Sequence, residues 1–376
     1  MIDQEYFIKM LNEAGVEFFT GVPDSLLNGF CSYLQNNVPA DKHIIAANEG
    51  NAVAIAAGYF FSTNTMPLVY MQNSGLGNII NPLVSLTDSH VYKTSLVLLI
   101  GWRGEPDTGD HAQHFTQGEI TTKLLEILNI PYIIAADDDL IFAEQLRPLL
   151  QEAREGLKPV AIIGRKGVFS RLKKENVVDD IYPLSREEAI ETVLDSLPAD
   201  TYYLASTGRA TRELYFLREK RNEGHQYDFL NLGAMGHVSS VALGIAIANK
   251  KHRVVCLDGD ASVLMHMGSL CMSCLVDAPN FLHIVLNNGA HESVGGQPSV
   301  GYIVDFTTIA AGSGYNTVGQ AVKTKEELQH ALNKLSSSSG PSFIDFRIHK
   351  GLKGELPPLN IDTNKLIEDF MEQLAK

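Results

Sequence analysis

The sequence predicts an α/β fold in which two domains each contain a mostly parallel sheet covered by helices on both faces. Short apolar runs alternate with helical patterns along the whole chain, which is the pattern of strand–helix–strand units. The runs are rich in Val, Ile, Leu and Tyr without strict alternation, which is typical of strands buried on both faces. The length of 376 residues allows two to three domains.

Ten of these runs predict strands. Six are in the first half, at 17–22, 43–49, 67–72, 95–101, 131–136 and 159–164. Four are in the second half, at 201–206, 253–258, 282–287 and 342–348. Helices are predicted between them, and two begin with a capping-box pattern, Ser185 to Glu188 and Thr324 to Glu327.

The segment 166–182 is polar, mixed in charge and without a strand pattern, so it predicts a linker. The first domain is then expected at 1–165 and the second at 183–376. Cys271 and Cys274 form a lone Cys-x-x-Cys. This favours packed helix cysteines over a zinc site, because zinc needs about four ligands.

Composition and charge exclude several classes of function. No apolar run reaches the roughly 18 to 20 residues of a membrane span, and the first residues lack the pattern of a secretory signal. The net charge of −14 disfavours nucleic acid as a partner, so an anionic substrate would need local cations. Four cysteines are too few for a disulfide framework, and a cytoplasmic location is expected.

Polar side chains follow two predicted strands of the second half. The first strand is followed by Gly259, Asp260, Ala261 and Ser262, and the second by Asn288, Gly289 and Ala290. Ligands bind at the carboxyl ends of strands in α/β sheets. A carboxylate and an amide oxygen there suit Mg²⁺, and small residues let phosphate oxygens approach backbone N–H groups. Either motif alone is a common turn, but their pairing 28 residues apart favours a metal–diphosphate site.

This spacing resembles the signature of the thiamin-diphosphate-dependent decarboxylase family, with Ala261 where the family usually has Gly. The resemblance covers almost the whole chain, as a pyrimidine-binding domain followed by a diphosphate-binding domain. It implies Mg²⁺ bound by Asp260, Asn288 and Ala290. It also implies that thiamin diphosphate is contacted by seven further residues, Thr207, Gly208, Gly233, Met235, Gly259, Ala261 and Ser262.

Glu49 resembles the family glutamate that hydrogen-bonds the aminopyrimidine ring and promotes deprotonation of the thiazolium carbon. The alternative for Glu49 is an ordinary acid at a helix start, and for Met235 it is plain core packing. The segment 73–78 resembles the glycine-rich loop of the family's first domain.

The family also implies further catalytic groups, and our candidates for them are His114, Asp24 and His291. Their alternatives are surface histidines and, for Asp24, a helix N-cap. The anionic group of a substrate would need cationic partners, and arginine forks match phosphonate oxygens. The candidates are Arg209, Arg212 and Arg103.

Within the family, the stretches 21–25, 101–106, 206–214 and 287–298 resemble most closely the branch that decarboxylates phosphonopyruvate. The expected products are phosphonoacetaldehyde and carbon dioxide. The alternatives are a sulfopyruvate decarboxylase, another 2-oxoacid decarboxylase or ligase, and a non-catalytic α/β binding module. Because the family's cofactor sits between two subunits, a homo-oligomer of at least two chains is expected.

Overall fold

The computed structural model describes residues 1–169, 181–273, 275–351, 356–357, 359 and 361–376. The chain divides into two compact units. The first comprises Met1–Lys174 together with Ser293–Gln297, and the second comprises Glu175–Glu292 and Pro298–Lys376. Most of the segment predicted as a linker lies outside the described residues.

The first unit contains a six-stranded sheet. Its strands are β1 (Val16–Gly21), β2 (His43–Ile45), β3 (Met66–Gln72), β4 (Leu96–Gly101), β5 (Tyr132–Ile134) and β6 (Pro159–Gly164). They lie in the order β2-β1-β3-β4-β6-β5, and every neighbouring pair is parallel. The helices are α1 (Gln4–Glu13), α2 (Asn28–Asn37), α3 (Glu49–Thr63), α4 (Leu76–Pro82), α5 (Ala112–Ile127) and α6 (Asp139–Gly156).

The middle of this sheet is buried on both faces, which explains the continuous apolar runs in the sequence. Every residue of β4 and of β6 is buried. Along β4, Val97 and Leu99 pack into one apolar cluster with Phe7 of α1, whereas Leu98 packs into another with Val53 of α3. Burying one such side chain contributes about 1.5–3 kcal/mol, so helices on both faces stabilise the sheet.

The second unit contains a five-stranded parallel sheet. Its strands are β7 (Tyr202–Ala205), β8 (Asp228–Leu230), β9 (Val254–Gly259), β10 (Phe281–Asn287) and β13 (Ser342–Arg347), in the order β13-β10-β9-β7-β8. Two further short strands are β11 (Ala290–His291) and β12 (Gln297–Pro298). The helices are α7 (Arg186–Ser196), α8 (Arg209–Lys220), α9 (Val238–Ala248), α10 (Asp260–Met265), α11 (Leu270–Ser273), α12 (Phe306–Gly312), α13 (Lys325–Leu335) and α14 (Thr363–Leu374).

The predicted fold class is confirmed, and each predicted run contains a strand. β8 was not predicted, because it has three residues in a polar stretch and lacks an apolar run. β2 is shorter than expected, because the chain leaves the sheet after Ile45 and α3 begins at Glu49.

Three local predictions need correction. The segment 73–78 is not a loop but a 3₁₀ turn, Asn73–Gly75, that leads directly into α4. Cys271 is exposed rather than packed, and Cys274 lies outside the described residues. At Thr324, Glu327 accepts from the backbone N–H of Lys323 rather than from that of Thr324. The capping box at Ser185 is complete.

Across the part of the chain that the structure describes, no helix combines the length and apolar character needed to cross a bilayer.

Candidate active site

Glu49 is a fully buried carboxylic acid at the first turn of α3, where Asn48 caps the helix. Its Oε2 accepts a hydrogen bond from Asn78 Nδ2 at 2.7 Å, whereas its buried Oε1 has no partner. Burial raises the pKa of Glu49, although the bond from Asn78 opposes this. Gly75 leaves the space that the carboxyl group fills, because a Cβ there would lie 2.6 Å from Oε1. The site therefore holds a carboxyl group with one oxygen available to a ligand.

Asp24 is the second buried acid of the first unit, in the segment that follows β1. Its Oδ1 accepts from Gln72 Nε2 at 2.7 Å and its Oδ2 from the backbone N–H of Leu26 at 3.0 Å. Burial raises its pKa, and the bond from Gln72 and the charge of Arg103 oppose the rise. A Cβ on Gly101 would lie within 3.0 Å of Oδ2. Asp24 does not cap a helix, because α2 begins at Asn28 with no side-chain cap.

Arg103 and His114 meet on a shared partner, Asp110. Arg103 donates Nε and Nη2 to the two carboxylate oxygens at 2.8 and 2.6 Å, and Nη1 to Ser25 Oγ at 3.2 Å. Hydrogen bonds from Arg103 and His114 outweigh burial and hold the pKa of Asp110 far below its usual range. A carboxylate can only accept, so His114 Nδ1, at 3.0 Å, is the donor and Nε2 keeps its lone pair. Burial lowers the pKa of His114, which favours this neutral form.

In the second unit, Asp260 follows β9 directly and is buried at the start of α10. Its Oδ2 accepts from the Ser299 hydroxyl. Burial raises the pKa of Asp260 to about 6, although that hydrogen bond lowers it. A Cβ on Gly301 would lie within 3.0 Å of Asp260 Oδ2 and of Asn287 Oδ1. The two oxygens thus face the same small space.

Asn288 follows β10 and is buried. Its Oδ1 accepts from the backbone N–H of Ala290 at 3.2 Å, and its Nδ2 donates to Glu292 Oε2 at 3.2 Å. These partners fix the orientation of the amide, since a carboxylate cannot donate to it. Gly289 lies between Asn288 and Ala290 and has a φ of 61°, a left-handed backbone conformation that favours glycine.

Three predicted diphosphate contacts lie at the junction of β9 and α10. Gly259 ends the strand, and Ala261 and Ser262 lie in the first turn of the helix. Ser262 Oγ is buried and has no hydrogen-bond partner. A buried hydroxyl without a partner is costly, so Ser262 is suited to donate to a bound anion.

The other predicted cofactor contacts lie after β7 and β8. Thr207 Oγ1 donates to the carbonyl of Leu232 at 2.7 Å, which joins the two segments. Gly208 has φ of 100° and precedes α8. Gly233 is exposed and its carbonyl accepts from the N–H of Met235 at 2.9 Å. Met235 is only half-buried, so plain core packing does not describe it.

The three arginines predicted to bind the substrate differ in whether their guanidinium groups already have partners. Arg103 is already paired with Asp110 in the first unit. Arg209 and Arg212 both lie on α8, and Arg212 Nε is 3.5 Å from the carbonyl of Gly208. Arg209 Nε and Nη1 are buried without a partner. Burial, followed by the charge of Arg212, lowers the pKa of Arg209, and the charges of Glu292 and Glu213 oppose this.

His291 is partly buried in β11, close in sequence to the Asn288 turn. Burial lowers the pKa of His291 to about 4, so the imidazole is neutral at pH 7.

The residues fit a diphosphate with a divalent cation. Mg²⁺ binds oxygen ligands such as carboxylate and amide oxygens, which Asp260 and Asn288 supply after adjacent strands. Orphaned donors on Ser262 and Arg209 suit anionic oxygens. In the first unit, the unpartnered oxygen of Glu49 suits a ring nitrogen.

Comparisons with known proteins agree with this reading. Residues 3–125 match the thiamine pyrophosphate enzyme N-terminal TPP binding domain, and residues 206–346 match the thiamine pyrophosphate enzyme C-terminal TPP binding domain. Together these matches cover most of the chain, which belongs to the thiamine pyrophosphate enzyme family. Its cofactors are thiamin diphosphate and Mg²⁺.

Three relatives resemble the chain over nearly its full length. Phosphonopyruvate decarboxylase of Streptomyces viridochromogenes is 32% identical, over 93% of this chain and 89% of the relative. Phosphonopyruvate decarboxylase of Streptomyces hygroscopicus is 30% identical, over 99% and 94%. Sulfopyruvate decarboxylase of Methanosarcina acetivorans is 26% identical, over 99% and 97%.

Several site residues were missed from the sequence. Asp110 lies four residues before His114, a helical spacing that signals a possible pair. Asn78 was inside the segment noted for its glycines. Arg186 and Ser299 carried no signal, because each lies far along the chain from the carboxylate it contacts.

Proposed function

We propose that this chain catalyses the decarboxylation of 3-phosphonopyruvate to phosphonoacetaldehyde and carbon dioxide. When bound, thiamin diphosphate supplies the electron sink for loss of carbon dioxide from a 2-oxoacid. The same groups could serve sulfopyruvate, which a 26% identical relative decarboxylates by name. A non-catalytic binding module is disfavoured, because Glu49, Asp260 and Asn288 are all in place.

Each of the two units has a role in this proposal. Asp260, Asn288 and Ala290 hold Mg²⁺, and Ser262 donates to the diphosphate together with backbone groups of its turn. Glu49 shares a proton with the pyrimidine ring, since its unpartnered oxygen and raised pKa suit that role. Met235 supports the cofactor by packing.

The proton-carrying groups at the substrate are Asp24, His114 and His291. Burial raises the pKa of Asp24, which makes this carboxylate a better proton acceptor than an exposed one. His114 presents an Nε2 lone pair because Asp110 holds Nδ1. His291 is neutral and can donate or accept one hydrogen bond.

The observation that carries the substrate assignment is the guanidinium of Arg209, two of whose nitrogens are buried without a hydrogen-bond partner. The N–H groups of Nε and Nη1 suit the oxygens of a bound anion. Arg209 is within electrostatic range of Glu292, which contacts Asn288. Arg103 is a weaker candidate, because Asp110 already occupies it. A phosphonate dianion therefore pairs with Arg209, and Arg212 on the same helix adds positive charge.

The test is kcat/KM for phosphonopyruvate, sulfopyruvate and pyruvate on the wild type, Arg209→Ala and Arg212→Ala. Buried donors left unpaired by a methyl group discriminate by roughly 10⁴-fold. We expect phosphonopyruvate to be preferred and sulfopyruvate, with one charge fewer, to be intermediate. Arg209→Ala should reduce phosphonopyruvate turnover much more than pyruvate turnover, and more than Arg212→Ala does. Equal kcat/KM for the three acids on the wild type would contradict the assignment of phosphonopyruvate as the substrate.

We also propose a cytoplasmic homo-oligomer of at least two chains. Several apolar side chains of the first unit are exposed, among them Phe61 and Tyr92, whose rings pack at 5.8 Å. Light scattering tests the assembly, and a monomer at micromolar concentration would contradict it.

A further inference from the structure

Glu292 is the one carboxylate among the described residues that contacts the side chain of Asn288. Its Oε2 accepts from Asn288 Nδ2 at 3.2 Å and from Arg186 Nη2 at 2.7 Å. Its Oε1 accepts from the backbone N–H of Gly351 at 2.6 Å. One side chain thus ties together the turn after β10, the start of α7 and the segment after β13.

The position of Glu292 is itself held by charge. The side chain of Arg186 is 11% exposed and pairs with Glu292 on one side and with Glu213 Oε1, at 3.3 Å, on the other. A buried arginine without such partners would be costly. Glu292 therefore cannot leave Asn288 without also uncovering Arg186.

We infer that Glu292 is a positioning residue for the metal: it binds Nδ2 of Asn288 and so presents Oδ1 of the same amide to Mg²⁺. The backbone N–H of Ala290 holds Oδ1 from one side, and Glu292 holds Nδ2 from the other, which opposes a flip that would turn the NH₂ group toward a cation. Carboxylates that orient metal ligands through hydrogen bonds are a general feature of metal sites. The inference rests on the proposed metal role of Asp260 and Asn288, and it assigns Glu292 and Arg186 no contact with the substrate.

The same geometry supplies a matched control. Glu213 also pairs with Arg186 and is also buried, but it makes no hydrogen bond to Asn288. Replacing Glu213 disturbs the pair with Arg186 and leaves the hydrogen bond of Asn288 in place. Replacing Glu292 disturbs Arg186, the backbone N–H of Gly351 and the amide of Asn288.

The experiment measures the dissociation constant of Mn²⁺ by electron paramagnetic resonance at a fixed, saturating concentration of thiamin diphosphate. No substrate is present, so the readout is independent of turnover. We expect Glu292→Ala to weaken Mn²⁺ binding by about 10- to 100-fold. Glu292→Gln keeps an acceptor for Asn288 and should fall between Glu292→Ala and wild type. Glu213→Gln should bind Mn²⁺ as the wild type does.

A second measurement separates positioning from a general loss of structure. For Glu292→Gln, kcat with saturating Mn²⁺ should return to near the wild-type value while the metal requirement stays raised. Circular dichroism confirms that each variant is folded.

Two results would overturn the inference: wild-type Mn²⁺ affinity in both Glu292 variants, or equal weakening in Glu213→Gln. Asp260→Ala is run in parallel. If Asp260→Ala loses Mn²⁺ binding and Glu292→Ala keeps it, only the positioning role fails. If Asp260→Ala keeps it as well, the proposed metal site is wrong.

Discussion

At the scale of single residues, Glu49 is the side chain whose role is most open to test. Glu49→Gln keeps the shape and an acceptor for Asn78 but removes the exchangeable carboxyl proton. Exchange of the thiazolium C2 proton in deuterated water, followed by NMR, should slow by about 10² to 10⁴-fold, while thiamin diphosphate still binds. Asn78→Ala, which leaves the carboxyl group in place, should slow it less. Wild-type exchange in Glu49→Gln would remove Glu49 from the chemistry.

Metal affinity should depend on pH through Asp260. A cation binds the carboxylate form, and the pKa of about 6 makes that form dominant only above about pH 6. Affinity for Mn²⁺ should fall by about tenfold between pH 7 and pH 5. Asp345 has a similar pKa and accepts from Asn287 Nδ2 at 3.0 Å, so Asp345→Asn is the control. The pH dependence should survive in Asp345→Asn, and its loss there would assign the titration to Asp345.

At the scale of elements, Asp110 joins the segment after β4 to the first turn of α5. Asp110→Asn removes a charge from hydrogen bonds that typically contribute about 1.5–3 kcal/mol each, so urea unfolding should show a loss of that order. The pKa of Asp110 is depressed in the folded state. The stability that its carboxylate gives to the folded chain is therefore complete above the ordinary carboxyl pKa, and it is lost as the pH falls below that ordinary value toward the folded one. The stability difference between variant and wild type should therefore shrink in acid. A constant difference from pH 7 to pH 3 would contradict this.

Apolar runs in the sequence predicted the strands correctly, because a strand that is buried on both faces needs apolar side chains at successive positions, as in β4 and β6. The same criterion misses β8, which pairs only at the sheet edge. This criterion also cannot distinguish a loop from the helical turn at Asn73–Gly75. The glycine of that turn, Gly75, leaves room for the carboxyl group of Glu49 and does not mark a loop. Motifs at strand ends pointed to Asp260 and Asn288, and the structure places each directly after a strand of the second sheet. Contacts such as Arg186 with Glu292 join residues 106 positions apart, and no local pattern encodes them.

At the scale of the whole molecule, cofactor binding should stabilise the folded chain through mass action. At thiamin diphosphate and Mg²⁺ concentrations 100 times their dissociation constants, the gain is about 2.7 kcal/mol, which appears as a higher melting temperature. Chelation of Mg²⁺ by EDTA should reverse most of the gain. Asp260→Ala should melt at one temperature with and without the cofactors. A cofactor-dependent shift in that variant would mean that the metal is held elsewhere.

The close approach of Gly75, Gly101 and Gly301 to three buried carboxyl groups has a consequence for reading natural variation. None of the three has a positive φ, so a survey that scores glycines by backbone torsion would rank them as replaceable. These positions require a residue without a Cβ atom, since even an alanine methyl would overlap Glu49, Asp24 or Asp260. In a saturation library selected for activity, these codons should return glycine alone. Gly58 and Gly77, which lie in helices with open space beside them, should accept alanine and gain about 0.5–1 kcal/mol from it.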